Sequence, residues 1–588
     1  MSPLRTAGSR WALVMGLVLA LGAAAGAEPV AGVVFEDANA NGRRDAGERG
    51  IEGVPVTDGV SFAVTDAQGR YRLEAGLDPL LGSGKRPILT VSFPSGTWPT
   101  AGWMRRVGDE SGTDFGLARQ DQRLPFVFVH ATDPHVPRGG KGRFAAFRRD
   151  IEALGDTARF CIMTGDLANN SDGCAPKTAV ADFQLYVENA RDFPIPIFAI
   201  PGNHDCAGVR AGDRWDPSDP RYAYGLYWEF VGPLRWSFNY AGHHFVGLDF
   251  NRRKEGRWVW GIPASAAAWL ERDLEHAPEG APVLLFVHWP MGAPRVAEVV
   301  RRFPVRAFFA GHSHGEGPLS GIYGDVPGWH SGSIAQTGGE LKPGYRLVWV
   351  KADGLETFYN AAGQPHWISV DRSPLDSGLG AQATVSGAFY DVDGAIERLR
   401  VGVGSAGGAC PFRRTPICCR FEAELDLSGV AEGFRRLRVE VADGDESWER
   451  AWRCLVLSGH QGDFAPAADA RLALDLGGVD TAAEVVLNGK PLATLEPTRM
   501  TGDGPFRRPI RDAQTVSLDL PRERLERLNR IDLVAGKRPD DGHDAFCVLD
   551  VRIRYQGKVF RDPRRRHGRD HPRTVARRTR YLVDLMPD

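Results

Sequence analysis

Apolar and polar positions change texture twice along the 588-residue chain. Over residues 28–119, short β-like runs (30–35, 59–65, 71–73 and 88–93) alternate with turns rich in Gly, Asp and Pro, a pattern that predicts a small β-sandwich. From 120 to 369 the runs become continuously apolar, at 126–130, 160–163, 195–200, 245–248, 283–287 and 307–309, with helix-period stretches at 143–154, 179–191 and 264–276. That is an α/β layout with buried strands, in which ligand sites gather at strand ends. Residues 370–460 and 461–588 return to β-like alternation, as in Leu399-Arg400-Val401-Gly402-Val403, and Asn488-Gly489 predicts a hairpin turn. The expected whole is a multidomain chain, α/β in the middle and β on both sides.

The first 27 residues follow none of these patterns. Arg5 and Arg10, with no acid, precede an apolar run over 11–23 and then Ala25-Gly26-Ala27. This is the pattern of a signal peptide, since the run is shorter than the ~20 residues that a bilayer demands. An exported mature chain, periplasmic or secreted, is expected to start near Glu28. No Cys stands at the cleavage point, so a lipoprotein is not expected, and no later stretch is long and apolar enough to span a membrane.

Composition then excludes rather than identifies. With 43% apolar and 25% charged residues the chain is ordinary globular material, and Lys+Arg 72 against Asp+Glu 74 gives no whole-molecule attraction for nucleic acid. The Arg-rich stretch 558–580 is interspersed with Asp and His and reads as a solvated extension. Eight Cys are too few to define the fold. Cys174 and Cys206 follow two polar motifs closely enough to be either a bridge or two separate thiols; Cys161, inside a strand-like run, reads as a core thiol.

One loop of the first region carries its own chemistry. Asp37, Asn39, Asn41, Arg43, Asp45 and Glu48 fall at positions 1, 3, 5, 7, 9 and 12 of a loop with Gly42 at 6, the spacing by which twelve residues wrap Ca²⁺, position 7 acting through its carbonyl. The D-x-N-x-N-G-x-x-D-x-G-E run, followed by Gly50-Ile51-Glu52-Gly53-Val54, resembles the calcium-stapled β-sandwich repeats of bacterial surface proteins. A structural Ca²⁺ is expected there. In the last region, Val485-Val486-Leu487-Asn488-Gly489-Lys490 resembles jelly-roll modules that accompany carbohydrate-active enzymes.

Five polar clusters end successive apolar strands of the middle region: Asp133-Pro134-His135, Gly165-Asp166, Gly202-Asn203-His204-Asp205, His288, and Gly311-His312-Ser313-His314. Delivering so many Asp, His and Asn side chains to one edge concentrates charge that only a cation can balance. The donors are oxygen and imidazole nitrogen, suited to Mn, Fe or Zn and not to thiolate chemistry. Seven donors make two sets of four if one carboxylate is shared, the arrangement of two-metal hydrolysis.

In order and spacing these motifs resemble the calcineurin-like metallophosphoesterase superfamily. The resemblance implies a four-layer α/β/β/α sandwich, with Asp133, His135, Asp166 and His314 on one ion and Asp166, Asn203, His288 and His312 on the other. It also implies that His204 faces the substrate, with Asp205 orienting it. Purple acid phosphatases differ: they place Tyr where Asn169 stands and lack the His at 135. The expected function is therefore an exported phosphomono- or phosphodiesterase. Its substrate is expected to be a small phosphoester, glycan- and lipid-linked ones included, with Trp289 and the aromatic residues Tyr222, Tyr224, Tyr227, Trp228 and Trp236 as pocket candidates. The alternative is a surface-binding β protein with a vestigial core, which gives no reason for a complete donor set.

Overall fold

The computed structural model describes residues 29–586 except 82–84, 111, 138–140, 256, 291–293, 337–340, 392, 461, 463, 478–481, 496–513, 536–545, 564–572 and 576–577. The signal-peptide pattern of residues 1–27 lies outside the described residues. The chain gathers into two compact units, one running to Gly363 and one from Gln364 onward.

The middle of the first unit holds two sheets. One runs in the order Ile197–Ile200, Ala158–Thr164, Phe126–Ala131, Gly344–Lys351, Gly354–Ala361, its first three strands parallel. In the other, Trp236–Tyr240 flanks the parallel run His243–Leu248, Val283–Val287, Val305–Ala310, Gly328–His330, with Gly317–Leu319 at the far edge. The parallel strands are apolar on both faces because both are covered. Between the sheets Phe128 meets Phe245, Phe286 and Phe309 edge-on at 5.6, 5.8 and 5.7 Å. Truncating it to Ala would cost ~3–5 kcal/mol. Outside the second sheet, Trp269 and Leu270 of the Ala264–His276 helix and Val296 and Val299 of Pro294–Arg302 bury Val246 and Leu285. Outside the first, Phe147 packs on Tyr345 at 5.0 Å, and the Pro176–Arg191 helix brings the Tyr186 hydroxyl to 3.6 Å from Met163 Sδ.

Residues 30–119 form two further four-stranded sheets, Arg70–Leu73, Val30–Glu36, Phe115–Arg119, Thr97–Pro99 and Phe62–Val64, Pro55–Thr57, Ile88–Val91, Met104–Arg106. Their core runs on into the middle sheets as one hydrophobic cluster. Phe93 stacks on Phe238 at 5.1 Å, Trp98 on Phe160 at 6.4 Å, and Trp103 meets Trp236 edge-on at 6.3 Å. The indoles of Trp228 and Trp269 donate to Arg86 O at 3.0 Å and Thr57 Oγ1 at 3.1 Å. Arg235, buried, joins Asp78 at 2.6 Å to Asp249 at 2.9 Å. Four of the aromatic pocket candidates, Tyr224, Tyr227, Trp228 and Trp236, are thus core residues, each at most 4% exposed.

The second unit holds two pairs of sheets with separate cores. The long strands Gly433–Asp443 and Glu446–Val456 anchor the first pair, and Ala470–Gly477 with Phe546–Tyr555 the second. Asn488 (φ 50°) and Gly489 (φ 79°) turn the hairpin between Ala483–Leu487 and Lys490–Leu495, as the Asn-Gly signal predicts.

Of the two open readings for Cys174 and Cys206, the separate thiols hold. Both are free, Cys206 fully buried behind the 202–205 turn, and Cys174 half-buried with its carbonyl taken by the Trp215 indole at 2.8 Å.

Candidate metal centre

Because the strands are parallel, their C-terminal ends share one edge of each sheet, and all five polar clusters leave from these ends. The backbone is forced hard there. Asp133, His135, Asp166, His312 and His314 all take left-handed conformations, with φ of 51°, 41°, 53°, 68° and 53°. Such strain in side-chain-bearing residues persists only where the surroundings impose it, and it clusters at functional sites. Gly202 shows how: a Cβ there would lie 2.3 Å from Asp166 N.

The side chains converge on two adjoining clusters. In one, His314 Nε2 lies 3.2 Å from Asp133 Oδ1 and 3.1 Å from His135 Nε2. In the other, His288 Nε2 lies 3.1 Å from Asn203 Oδ1, 3.2 Å from His312 Nδ1 and 3.4 Å from Asp166 Oδ2. Asp166 Oδ2 is also 3.8 Å from His135 Nε2, so this carboxylate stands between the clusters. Outer partners aim the rings. His288 Nδ1 contacts Thr164 O at 2.6 Å and His135 Nδ1 contacts Asn169 O at 3.2 Å, which turns the Nε2 atom of each ring toward the carboxylates.

Electrostatics fit cations. Burial works against the Asp133 and Asp166 carboxylates, but the surrounding imidazoles outweigh it and hold both ionised. Burial, with the neighbouring His288, pushes His312 down to about 3, so its ring is neutral and able to ligate. Asp133 Oδ2 accepts from Thr132 Oγ1 at 2.5 Å and from the His312 N–H at 2.9 Å, whereas buried Oδ1 has no hydrogen-bond partner. Its neighbours are two ring nitrogens, His314 Nε2 at 3.2 Å and His135 Nε2 at 3.6 Å, so the buried oxygen and both rings face one small space that a cation can fill. Among the described residues Asp133, His135 and His314 form one potential metal-holding group, Asp166, His288 and His312 another, and His135, Asp166 and His204 a third that overlaps both.

The family model for calcineurin-like phosphoesterases matches the stretch that carries all these groups, residues 126–316. Those residues form a calcineurin-like phosphoesterase domain. A probable glycerophosphodiester phosphodiesterase GpdQ of Arcobacter nitrofigilis is 25% identical over 217 residues, 32% of this chain and 71% of that protein. Among solved structures, vacuolar protein sorting 29 from Cryptosporidium parvum matches at 13% identity and a TM-score of 0.22, over 42% of this chain and 95% of that one. Its counterpart from Entamoeba histolytica, solved as a single mutant, matches at 11% and 0.20, over 45% and 92%. Similarity at that level carries no structural argument.

Within the phosphoesterase domain the expected orienting group for His204 changes. Asp205 does not touch that ring; its carboxylate accepts the backbone N–H groups of Leu167, Ala168 and Gly202 at 3.1, 3.0 and 2.8 Å, pinning the two ligand turns together. Chain neighbours in a tight turn point apart, and a buried carboxylate takes the nearest unpaired donors. The ring's partner is Asp172, whose Oδ1 is 2.7 Å from His204 Nδ1 and whose Oδ2 receives Arg210 at 3.1 Å. Asp172 is not among the expected site residues because Asn169-Asn170-Ser171-Asp172 looks like a plain turn; the one available signal is its place six residues after the Gly-Asp motif. His204 Nε2 faces the cluster, 4.0 Å from Asp166 Oδ2. Burial opposes charging this ring, but the Asp172 bond and nearby carboxylates prevail and raise its pKa. Trp289 stacks on His312 with ring centroids 3.6 Å apart. In the calcium-type loop, Asp37 and Glu48 oxygens accept backbone N–H groups of the loop, while Asp45 takes the side-chain amides of Asn39 and Asn41 at 2.8 and 2.7 Å. Arg43 donates its N–H to Asn41 Oδ1 at 2.8 Å.

Proposed function

We propose that the chain is a two-metal phosphoesterase that hydrolyses phosphodiesters in preference to monoesters. The observation that carries this reading is the convergence of seven O and N donors in two adjoining clusters joined at Asp166, one around Asp133 Oδ1 and the other around His288 Nε2. The name of the Arcobacter relative favours the diester. Asp133, His135, Asp166 and His314 would hold one divalent ion of the Mn, Fe or Zn class, and Asp166, Asn203, His288 and His312 the other. Such a pair supplies an ionised water near neutral pH and neutralises phosphate oxygens.

The protein's own groups do the rest. With Nδ1–H given to Asp172, His204 carries a second proton on Nε2, beside the cluster, where it can pass to the departing alkoxide. Asp172 stabilises the imidazolium until that proton leaves, and Arg210 holds Asp172. Asp205 and the Asn251 side-chain amide, which donates to Gly202 O at 3.0 Å, keep the 202–205 turn in register with its neighbours.

We infer three accompanying features. The middle sheets and their helices are read as a four-layer α/β/β/α sandwich, flanked by an N-terminal β-sandwich and C-terminal sandwich and jelly-roll-like modules. The 37–48 loop holds a structural Ca²⁺. The pattern over residues 1–27 supports export to periplasm or medium.

The test is a screen of the purified protein against mono- and diesters with Mn²⁺, Zn²⁺ and Fe²⁺, with metal content measured alongside. Parent protein should bind close to two equivalents and turn over diesters; Asn203→Ala should lose metal and rate together. Unchanged turnover in that variant defeats the assignment.

A further inference from the structure

Beside the candidate metal centre stands a hairpin of which the proposed chemistry uses only Asn251. Asn251–Lys254 and Arg257–Trp260 pair with each other and with no other described strand, in the register Asn251↔Trp260, Arg252↔Val259, Arg253↔Trp258 and Lys254↔Arg257. Cross-strand partners share a face, so Asn251, Arg253, Trp258 and Trp260 lie on one side. That side is turned to the site. Asn251 is the residue that ties the hairpin to Gly202, and Trp260 meets His312 edge-on at 5.3 Å and Trp289 at 5.3 Å.

Trp260 is nevertheless 45% exposed, and no other described tryptophan is exposed. Set edge-on to His312 and beside Trp289, this indole offers a flat apolar face to whatever enters the site. Around it the hairpin is basic. Arg252, Arg253, Lys254 and Arg257 are exposed, and the Arg253 guanidinium lies 5.8 Å over the Trp258 ring.

Resting on the phosphoesterase reading, we propose that the 251–260 hairpin selects the substrate class: phosphodiesters whose ester arm carries a flat ring, which stacks on Trp260 while the phosphate sits at the metal centre. The basic rim draws such anions in. A nucleobase and an aryl group present the required face, and a pyranose offers the C–H face of its chair in its place. A glycerol or ethanolamine arm offers neither. Trp260 is a specificity residue, so its loss acts on binding of the ring-bearing arm and leaves the reacting groups in place.

The experiment compares parent, Trp260→Ala and Trp260→Phe, each with metal content measured, on four diesters: thymidine 5′-(p-nitrophenyl phosphate), bis(p-nitrophenyl) phosphate, a glucose 1-phosphate methyl ester and glycerophosphoethanolamine. Expected for Trp260→Ala is a rise in KM of ~10- to 100-fold on the ring-bearing ester that the parent prefers, the range typical of lost ring stacking. Metal content, and turnover of glycerophosphoethanolamine, should stay at the parent level, and Trp260→Phe should restore most of the loss. Which ring responds identifies the source of the face. Equal losses on ring-bearing and ring-free esters, or no loss on any, overturn the proposal. A parent inactive on every ester with every metal instead overturns the phosphoesterase reading, and this inference with it.

Discussion

Replacing Arg235 by Met removes one buried guanidinium that serves both halves of the first unit. Its Nη2 donates to Asp78 Oδ2 at 2.6 Å, its Nε to Asp249 Oδ1 at 2.9 Å and its Nη1 to Gly59 O at 3.2 Å. Methionine refills much of the volume, so the loss is electrostatic. Two buried carboxylates remain, and Asp249 Oδ2 already lacks a hydrogen-bond partner. Breaking a buried pair in this way costs ~3–5 kcal/mol. At about 2 °C per kcal/mol for a unit of this size, the melting temperature should fall by ~6–10 °C. Urea unfolding followed by Trp fluorescence, with calorimetry, reads both quantities. The pH dependence has a definite sign. Even beside Arg235, burial pushes Asp249 up to about 6, so its folded-state pKa exceeds the unfolded value and its contribution is lost as pH rises from ~4 to 6. Without the guanidinium the carboxyl is held protonated to higher pH still. The deficit should therefore be largest at pH 8 and shrink at pH 5. Adding Asp78→Asn and Asp249→Asn to the Met variant should recover most of the stability. A Met variant within 1 kcal/mol of the parent, or a triple variant no better than the single one, refutes the argument.

Asp172→Asn takes the charge partner from His204, and kcat should fall ~10- to 100-fold on diesters with poor leaving groups, less on p-nitrophenyl esters, with metal content unchanged; an equal fall on both shows that Asp172 acts otherwise. Asp182, buried in the Pro176–Arg191 helix, is raised to about 6 by desolvation, so it penalises the folded state increasingly between pH ~4 and 6. Asp182→Asn should add ~1 kcal/mol at pH 7, allowing for residual hydration, and nothing at pH 4; equal gains at both pH values point to another cause. Millimolar Ca²⁺ should raise the first unit's melting temperature, and Asp37→Ala should abolish the rise; a parent transition that does not move with Ca²⁺ leaves the 37–48 loop without an ion.

Continuous apolar runs showed in the sequence at most of the buried parallel strands. Thus 283–287 is the strand Val283–Val287, and the 264–276 period is the helix Ala264–His276. The seven candidate donors were legible for a related reason, since each follows such a run directly. Other elements were not, among them the strands Gly344–Lys351 and Gly354–Ala361 and the helix Pro294–Arg302, and two show why. Trp236–Tyr240 mixes Ser and Asn among its aromatics, because Ser237 and Asn239 bond groups outside its own sheet, Ser92 Oγ at 2.9 Å and Phe93 O at 3.1 Å. The 251–260 hairpin packs no core, so Arg and Lys interrupt its alternation and it reads as loop. Asp172 shows a third limit: a carboxylate that meets its imidazole 32 residues away carries no local mark.

The family match begins at residue 126, yet the aromatic surface of the matched stretch is closed from outside it, by Phe93, Trp98 and Trp103. A fragment cut at that boundary keeps every candidate ligand and loses the lid on its own interior, leaving Phe160, Phe198, Trp236 and Phe238 in water. Such a patch invites self-association, so a soluble piece that keeps the candidate ligands has to keep the sheets of residues 30–119 as well, and exchanging those sheets with those of a relative means re-matching their aromatics as a set.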